Sequence, residues 1–175
     1  MKIKITLLLI SLALLFHSCT VNYGFTGASI DYENIKTIKI TNFYSRIASG
    51  PADLPLRFTE DLKEFIQQRT KLEVTNKQSD VQVEGYVSYY DVTPLGGSVN
   101  ANGQEFAALN KLTIRINVKY TNTKDPSQSY EQSFTSPNDL TFEQSQNLSD
   151  VEDDLIDVAF DQIKLDIYNR CFSNW

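Results

Sequence analysis

Asp80-Val81-Gln82-Val83-Glu84-Gly85-Tyr86-Val87-Ser88-Tyr89-Tyr90-Asp91-Val92 and Leu112-Thr113-Ile114-Arg115-Ile116-Asn117-Val118-Lys119-Tyr120-Thr121 carry the clearest pattern in the chain and decide its fold. In the second stretch Leu112, Ile114, Ile116, Val118 and Tyr120 take alternate positions. Side chains on a strand point to opposite faces in turn, so one face is apolar and the other shows Thr113, Arg115, Asn117, Lys119 and Thr121. In the first, Val81, Val83, Gly85, Val87 and Tyr89 fall on one face, and Gln82, Glu84, Tyr86, Ser88 and Tyr90 on the other. Both read as long, half-buried strands that need an apolar layer over one side. Between them Pro94 to Gln104, with Gly96, Gly97, Asn100, Asn102 and Gly103, predicts a flexible loop. It matches neither GxxxxGK[ST] nor GxGxxG, and a strand follows it, so it is no phosphate cradle.

Working outward, Thr123-Lys124-Asp125-Pro126 supplies a turn, Ser129 to Ser136 a returning strand, and Pro137 to Asn147 a polar connection. Ser149-Asp150-Val151-Glu152 has the pattern of a capping box opening a long helix, whose buried stripe is Leu155, Ala159, Ile163 and Ile167, flanked by Ile156, Phe160 and Cys171. Asp150, Glu152, Asp153 and Asp154 suit its positive end and Arg170 its negative end; the acidic run lacks the alternating ligands and central glycine of an EF-hand calcium loop. Toward the amino terminus, Leu72 to Thr75 predicts a short strand. From Leu54, Phe58, Leu62, Phe65, Ile66 and Arg69 recur at helical spacing, with Pro55 in the first turn where no amide partner is lost. Ile35 to Phe43 reads as a strand and Tyr44 to Asp53 as a loop. The order β-α-β-β-β-β-α predicts an α+β two-layer sandwich, a mainly antiparallel sheet of about four to five strands with two helices on one face.

The first residues set the location. Lys2 and Lys4 precede an apolar run from Ile5 to Phe16, too short to cross a bilayer, and Cys19 follows the small residue Ser18. Residues 1–18 therefore read as a lipoprotein signal peptide, with Cys19 as the residue that takes a covalent lipid. The motif is irregular, since Phe16 and His17 stand before Ser18. Residues 19–33, small and polar, read as a lipidated tether, and 34–175 as one domain, a length that suits a single core.

Composition narrows the chemistry. The chain has 175 residues and a net charge of −6, and two of its 16 basic residues, Lys2 and Lys4, fall in the leader. The remainder is more acidic still, which argues against nucleic acid as a partner. The single histidine, His17, also lies in the leader, so a Ser-His-Asp triad, a Cys-His dyad and a histidine-ligated zinc site are excluded from the domain. No metal or other cofactor is expected beyond the lipid on Cys19. Cys171, among apolar residues, reads as a buried and inert thiol.

Three stretches resemble the lipopolysaccharide-assembly lipoprotein LptE, in its Bacteroidetes form. They are Tyr23-Gly24-Phe25-Thr26-Gly27-Ala28-Ser29, then Leu109-Asn110-Lys111-Leu112-Thr113-Ile114 running to Thr123-Lys124-Asp125-Pro126, and Asn147 to Trp175 with its closing Asn174-Trp175. The resemblance implies a non-enzymatic lipoprotein held in the outer membrane by its lipid and facing the periplasm. Its partners would be an LptD-like outer-membrane β-barrel, which it plugs and helps assemble, and lipopolysaccharide, which it helps into the outer leaflet. It implies the same two-helix, sheet-backed sandwich. The alternative is a free-standing periplasmic lipoprotein that binds glycan or lipid through its exposed sheet face.

On that face Lys111, Arg115 and Lys119 recur every four residues, so a strand presents them together. They are the candidate lipopolysaccharide-binding residues, since a guanidinium can fork onto a phosphate. The competing reading is a solvated face, or an edge strand guarded by charge.

Overall fold

The structure, a computed structural model, describes residues 30–97 and 108–172. The leader, Cys19, most of the tether, residues 98–107 of the long loop and its surroundings, and Asn174-Trp175 lie outside these residues. Among the described residues seven strands and two helices follow in order: β1 (Thr37–Ile40), β2 (Tyr44–Ser45), α1 (Leu54–Arg69), β3 (Glu73–Val74), β4 (Val81–Leu95), β5 (Leu109–Asn122), β6 (Tyr130–Thr135), β7 (Thr141–Glu143) and α2 (Glu152–Phe172). They form the α+β two-layer arrangement that the periodicity predicts. No helix among the described residues is long and apolar enough to cross a membrane.

The sheet runs β3-β1-β4-β5-β6, with β2 also against β4 and β7 against β5. β4, β5, β6 and β7 pair antiparallel. β1, however, pairs parallel with both β3 and β4, and β2 parallel with β4. The parallel pairs arise because α1 carries the chain across the sheet between β1 and β3, as a crossover must. β2 and β7 fall in stretches that read as loop and polar connection; at two and three residues they are too short to show a period.

Both helices share one core with the inner sheet face. Phe58 of α1 is fully buried and its ring meets Phe43 at 5.2 Å and Phe160 of α2 at 5.0 Å, both edge-on. Ile156, Ala159, Ile163 and Ile167 of α2 and Leu112, Ile114, Ile116 and Val118 of β5 complete it. Gly85 lets Phe43 lie against β4: a β-carbon there would sit 2.4 Å from the Phe43 ring and 2.2 Å from the Asn117 carbonyl. Across the helix pair, Arg57 reaches Asp153 at 2.7 Å and Asp157 at 3.1 Å, and the buried Lys164 pairs with Asp61 at 3.5 Å, while Asp161 of its own helix lies at 3.0 Å. The Cys171 sulfur lies 2.9 Å from the Tyr130 hydroxyl, and burial pushes the thiol up to about 12.

Two details differ from the sequence reading. A β-bulge between Val87 and Tyr89 adds one residue to β4 against β5, and one extra residue reverses the facing of everything beyond it. Tyr89 is therefore exposed on the outer face and Tyr90 buried on the inner one. The capping box does not form either. Residues 148–150 make a single 3-10 turn before α2, the Ser149 hydroxyl bonds Asp150, and the Glu152 carboxylate accepts instead from the Tyr90 hydroxyl.

Candidate functional site

Among the described residues no helix covers the outer sheet face. β5 turns Thr113, Arg115, Asn117, Lys119 and Thr121 outward, because the inner positions between them are buried. Lys111, Arg115 and Lys119 do share this face, as the four-residue spacing predicts, but each meets a different environment. Lys119 bonds the Glu84 carboxylate across the strand pair at 2.9 Å, with both side chains more than half exposed, and Glu131 lies opposite it in register. That hydrogen bond holds the Lys119 ammonium above its ordinary range. Lys111 donates to Asn138 at 3.0 Å. The Arg115 guanidinium lies 5.3 Å from the Tyr89 ring centroid, which the bulge has turned outward. Among the described residues no carboxylate comes within ion-pair distance of Arg115.

Beside the row lies a groove of about 310 Å³ running from β2 across β4 to β5, lined by Tyr44, Arg46, Glu84, Tyr86, Asn117 and Lys119 among others. The rings of Tyr44 and Tyr86 stand 5.6 Å apart. Arg46, whose amide bonds the Val87 carbonyl, lays its guanidinium 3.7 Å over the Tyr86 ring and donates to the Tyr44 hydroxyl at 2.7 Å from Nη2 and 3.1 Å from Nε. Stacking on an aromatic face while one edge stays free is a disposition open to arginine and not to lysine. Asn117 fixes the floor: its Nδ2 donates to the Tyr86 hydroxyl at 3.1 Å, and its Oδ1 accepts from Ser88 at 2.9 Å and Ser133 at 3.1 Å. Arg46 too has no carboxylate within ion-pair distance among the described residues.

Arg46 and Tyr44 escape a reading of the sequence because β2 is two residues long and sits in a stretch rich in small residues. No period gives them away, since Phe43 is buried like Ile38 and Ile40 of β1 but out of phase with them. A larger cavity, about 500 Å³, opens between the helices against Phe65. Within it Lys164 already joins Asp61 to Asp161. Cys19, the predicted lipid site, lies outside the described residues.

The sequence profile of one family, described as LptE: Lipopolysaccharide-assembly, matches residues 35–171. No curated protein matches the chain. Among solved structures, the hypothetical protein CT253 from Chlamydia trachomatis is similar at 9% identity and a TM-score of 0.52, over 77% of this chain and 94% of that one. Protein XCC0632 from Xanthomonas campestris, of the family DUF330, is similar at 13% identity and a TM-score of 0.50, over 77% of this chain and 81% of that one. At such identities the likeness is one of fold. The profile match, by contrast, runs from before β1 to within a residue of the end of α2, and the chain belongs to the LptE lipopolysaccharide-assembly family.

Proposed function

We propose that the chain works in lipopolysaccharide assembly as an outer-membrane lipoprotein, the partner of an LptD-like β-barrel that it plugs and helps to fold while lipopolysaccharide passes to the outer leaflet. The family match over residues 35–171 is the observation that carries this reading. In it, residues 1–18 are removed, Cys19 takes the lipid, 19–33 spans from the membrane surface, and 34–175 forms the periplasm-facing domain. Several acyl chains on one terminus anchor a protein stably where a single chain binds only marginally. The domain acts by binding and shape rather than by catalysis, and its one covalent attachment is the lipid. Lys111 and Arg115 are the members of the basic row best placed to meet lipopolysaccharide phosphates, since Lys119 already has Glu84 at 2.9 Å.

The test is purification of the native lipoprotein in mild detergent. A β-barrel should co-purify in equal amount, and depleting the protein should lower both surface lipopolysaccharide and the yield of folded barrel. Recovery of the lipoprotein alone, with normal barrel and lipopolysaccharide after depletion, would sink the proposal.

A further inference from the structure

We infer that the groove between Tyr44 and Lys119 is a binding site for one acidic sugar residue, with the sugar's carboxylate or phosphate on Arg46 and its hydroxyls on Glu84 and Asn117. The inference rests on the outer sheet face being the ligand side of the domain, and not on the barrel.

The groove is bipolar. At one end the guanidinium of Arg46 is held by Tyr44 and stacked on Tyr86, with no carboxylate of the described residues in ion-pair range. Holding the guanidinium in place beforehand spares the ordering cost that an exposed arginine otherwise incurs on binding. At the other end Glu84 uses one oxygen on Lys119, and Glu131 lies beside them with the opposite charge to Arg46. Carboxylate oxygens accept from hydroxyls and repel a second anion, so an anionic ligand can bind in one direction only. Tyr86 and Glu84 are two positions apart on β4, roughly 7 Å along the strand, about the reach of one sugar ring. A cavity of about 310 Å³ sits at the small end of the usual ligand range, enough for one sugar, and its charged lining does not suit an acyl chain. Tyr44, half exposed, offers a ring to the apolar face of the sugar.

The experiment is isothermal titration of the full-length protein in detergent with glucuronate, glucose 1-phosphate and glucose, at low salt. Single sugars on exposed sites bind on the order of millimolar, so the concentrations must reach tens of millimolar. Glucuronate, glucose 1-phosphate or both should bind at least about tenfold tighter than glucose. Binding of one acidic sugar and not the other assigns the oxyanion. Arg46→Gln should abolish that preference, and Arg46→Lys, which keeps the charge but loses the fork and the stack, should restore little of it. Melting curves of both variants should match the wild type, since Arg46 is exposed. Equal affinity for glucose and the acidic sugars, no binding of any of the three, or an undiminished preference in Arg46→Gln would each overturn the inference. None of these outcomes bears on whether a barrel co-purifies, so failure here and failure of the assembly role are read separately.

Discussion

Asp80 and Thr37 bond each other reciprocally. The Asp80 carboxylate accepts from the Thr37 amide at 3.0 Å and from its hydroxyl at 2.9 Å, and the Asp80 amide donates back to that hydroxyl at 3.0 Å. The Lys36 amide donates to the same carboxylate at 3.0 Å, and Lys124 lies 3.2 Å away. One side chain thus ties the start of β1 to the start of β4 and to the turn after β5.

These donors, the Lys36 amide first and then the Thr37 hydroxyl, hold the Asp80 carboxyl well below the usual carboxylate range. An unfolded chain takes up that proton near pH 4, so as pH falls the unfolded state binds more protons than the folded one and stability declines. The contribution is complete above about pH 5 and drains away from pH 4 downward. Urea denaturation at pH 5.5 and pH 3 should show a smaller acid loss in Asp80→Asn than in the wild type. Asp31 and Asp125, also lowered by local hydrogen bonds, remain in both proteins and cancel. Equal acid losses would show that Asp80 is not responsible.

Gly85→Ala should destabilise the domain by about 1–3 kcal/mol, the range for an added methyl in a packed site. The nearest obstacles are the Asn117 carbonyl at 2.2 Å and Phe43 at 2.4 Å. Backbone cannot step aside as a flexible side chain can. Chemical denaturation measures the effect, and a loss below about 0.5 kcal/mol would mean that β4 and Phe43 adjust freely.

Reversing Arg115 and Lys119 to Glu tests the basic row. Lipopolysaccharide binding should weaken about tenfold or more, given the strength of charge-assisted hydrogen bonds, and wild-type binding should fall with salt. Arg115→Glu alone should account for most of the loss, because the ammonium of Lys119 is already engaged by Glu84. Arg115→Glu should move the melting temperature by only about 2 °C, whereas Lys119→Glu sets a third carboxylate between Glu84 and Glu131 and should lower it further. Unchanged affinity would make the row a solvated surface.

Cys171 should resist alkylation in the folded protein. Burial pushes the thiol up to about 12, so little of it is thiolate near neutral pH. In a Cys19→Ala variant, which leaves one cysteine, iodoacetamide at pH 8 should label the denatured chain fully and the native chain hardly at all. The same variant should lose metabolic palmitate labelling. Rapid native alkylation would place the sulfur in contact with solvent.

What the sequence disclosed and concealed follows from length. β4, β5, α1 and α2 each repeat their period often enough for the buried face to be named residue by residue, and Phe58, Leu62, Ile163 and Ile167 are where periodicity puts them. The bulge beside Ser88 is a single residue, and nothing in Tyr89-Tyr90 tells which ring is to be buried; the bulge turns Tyr90 inward, where Glu152, distant in sequence, meets its hydroxyl. The same contact undoes the capping box, whose local logic was sound. Lys111, Arg115 and Lys119 were legible as a row, but the carboxylate that engages Lys119 comes from another strand. Arg46 was not legible at all, since its place depends on two residues of β2 pairing with β4.

The position of β1 has a consequence in time. It is the first strand of the described residues, yet it lies inside the sheet, bonded on one side to β3 and on the other to β4. A chain arriving amino terminus first cannot complete this strand until β4 has followed, whereas β4 and β5 are successive and find each other across one loop. Local pairings form sooner than distant ones, so the β4–β5 hairpin should be the seed, with β1 laid along its edge and β3 closing last. Until then the edge of β4 is open, and the interval during which the protein is most exposed to wrong pairing is set by how quickly its beginning can reach its middle.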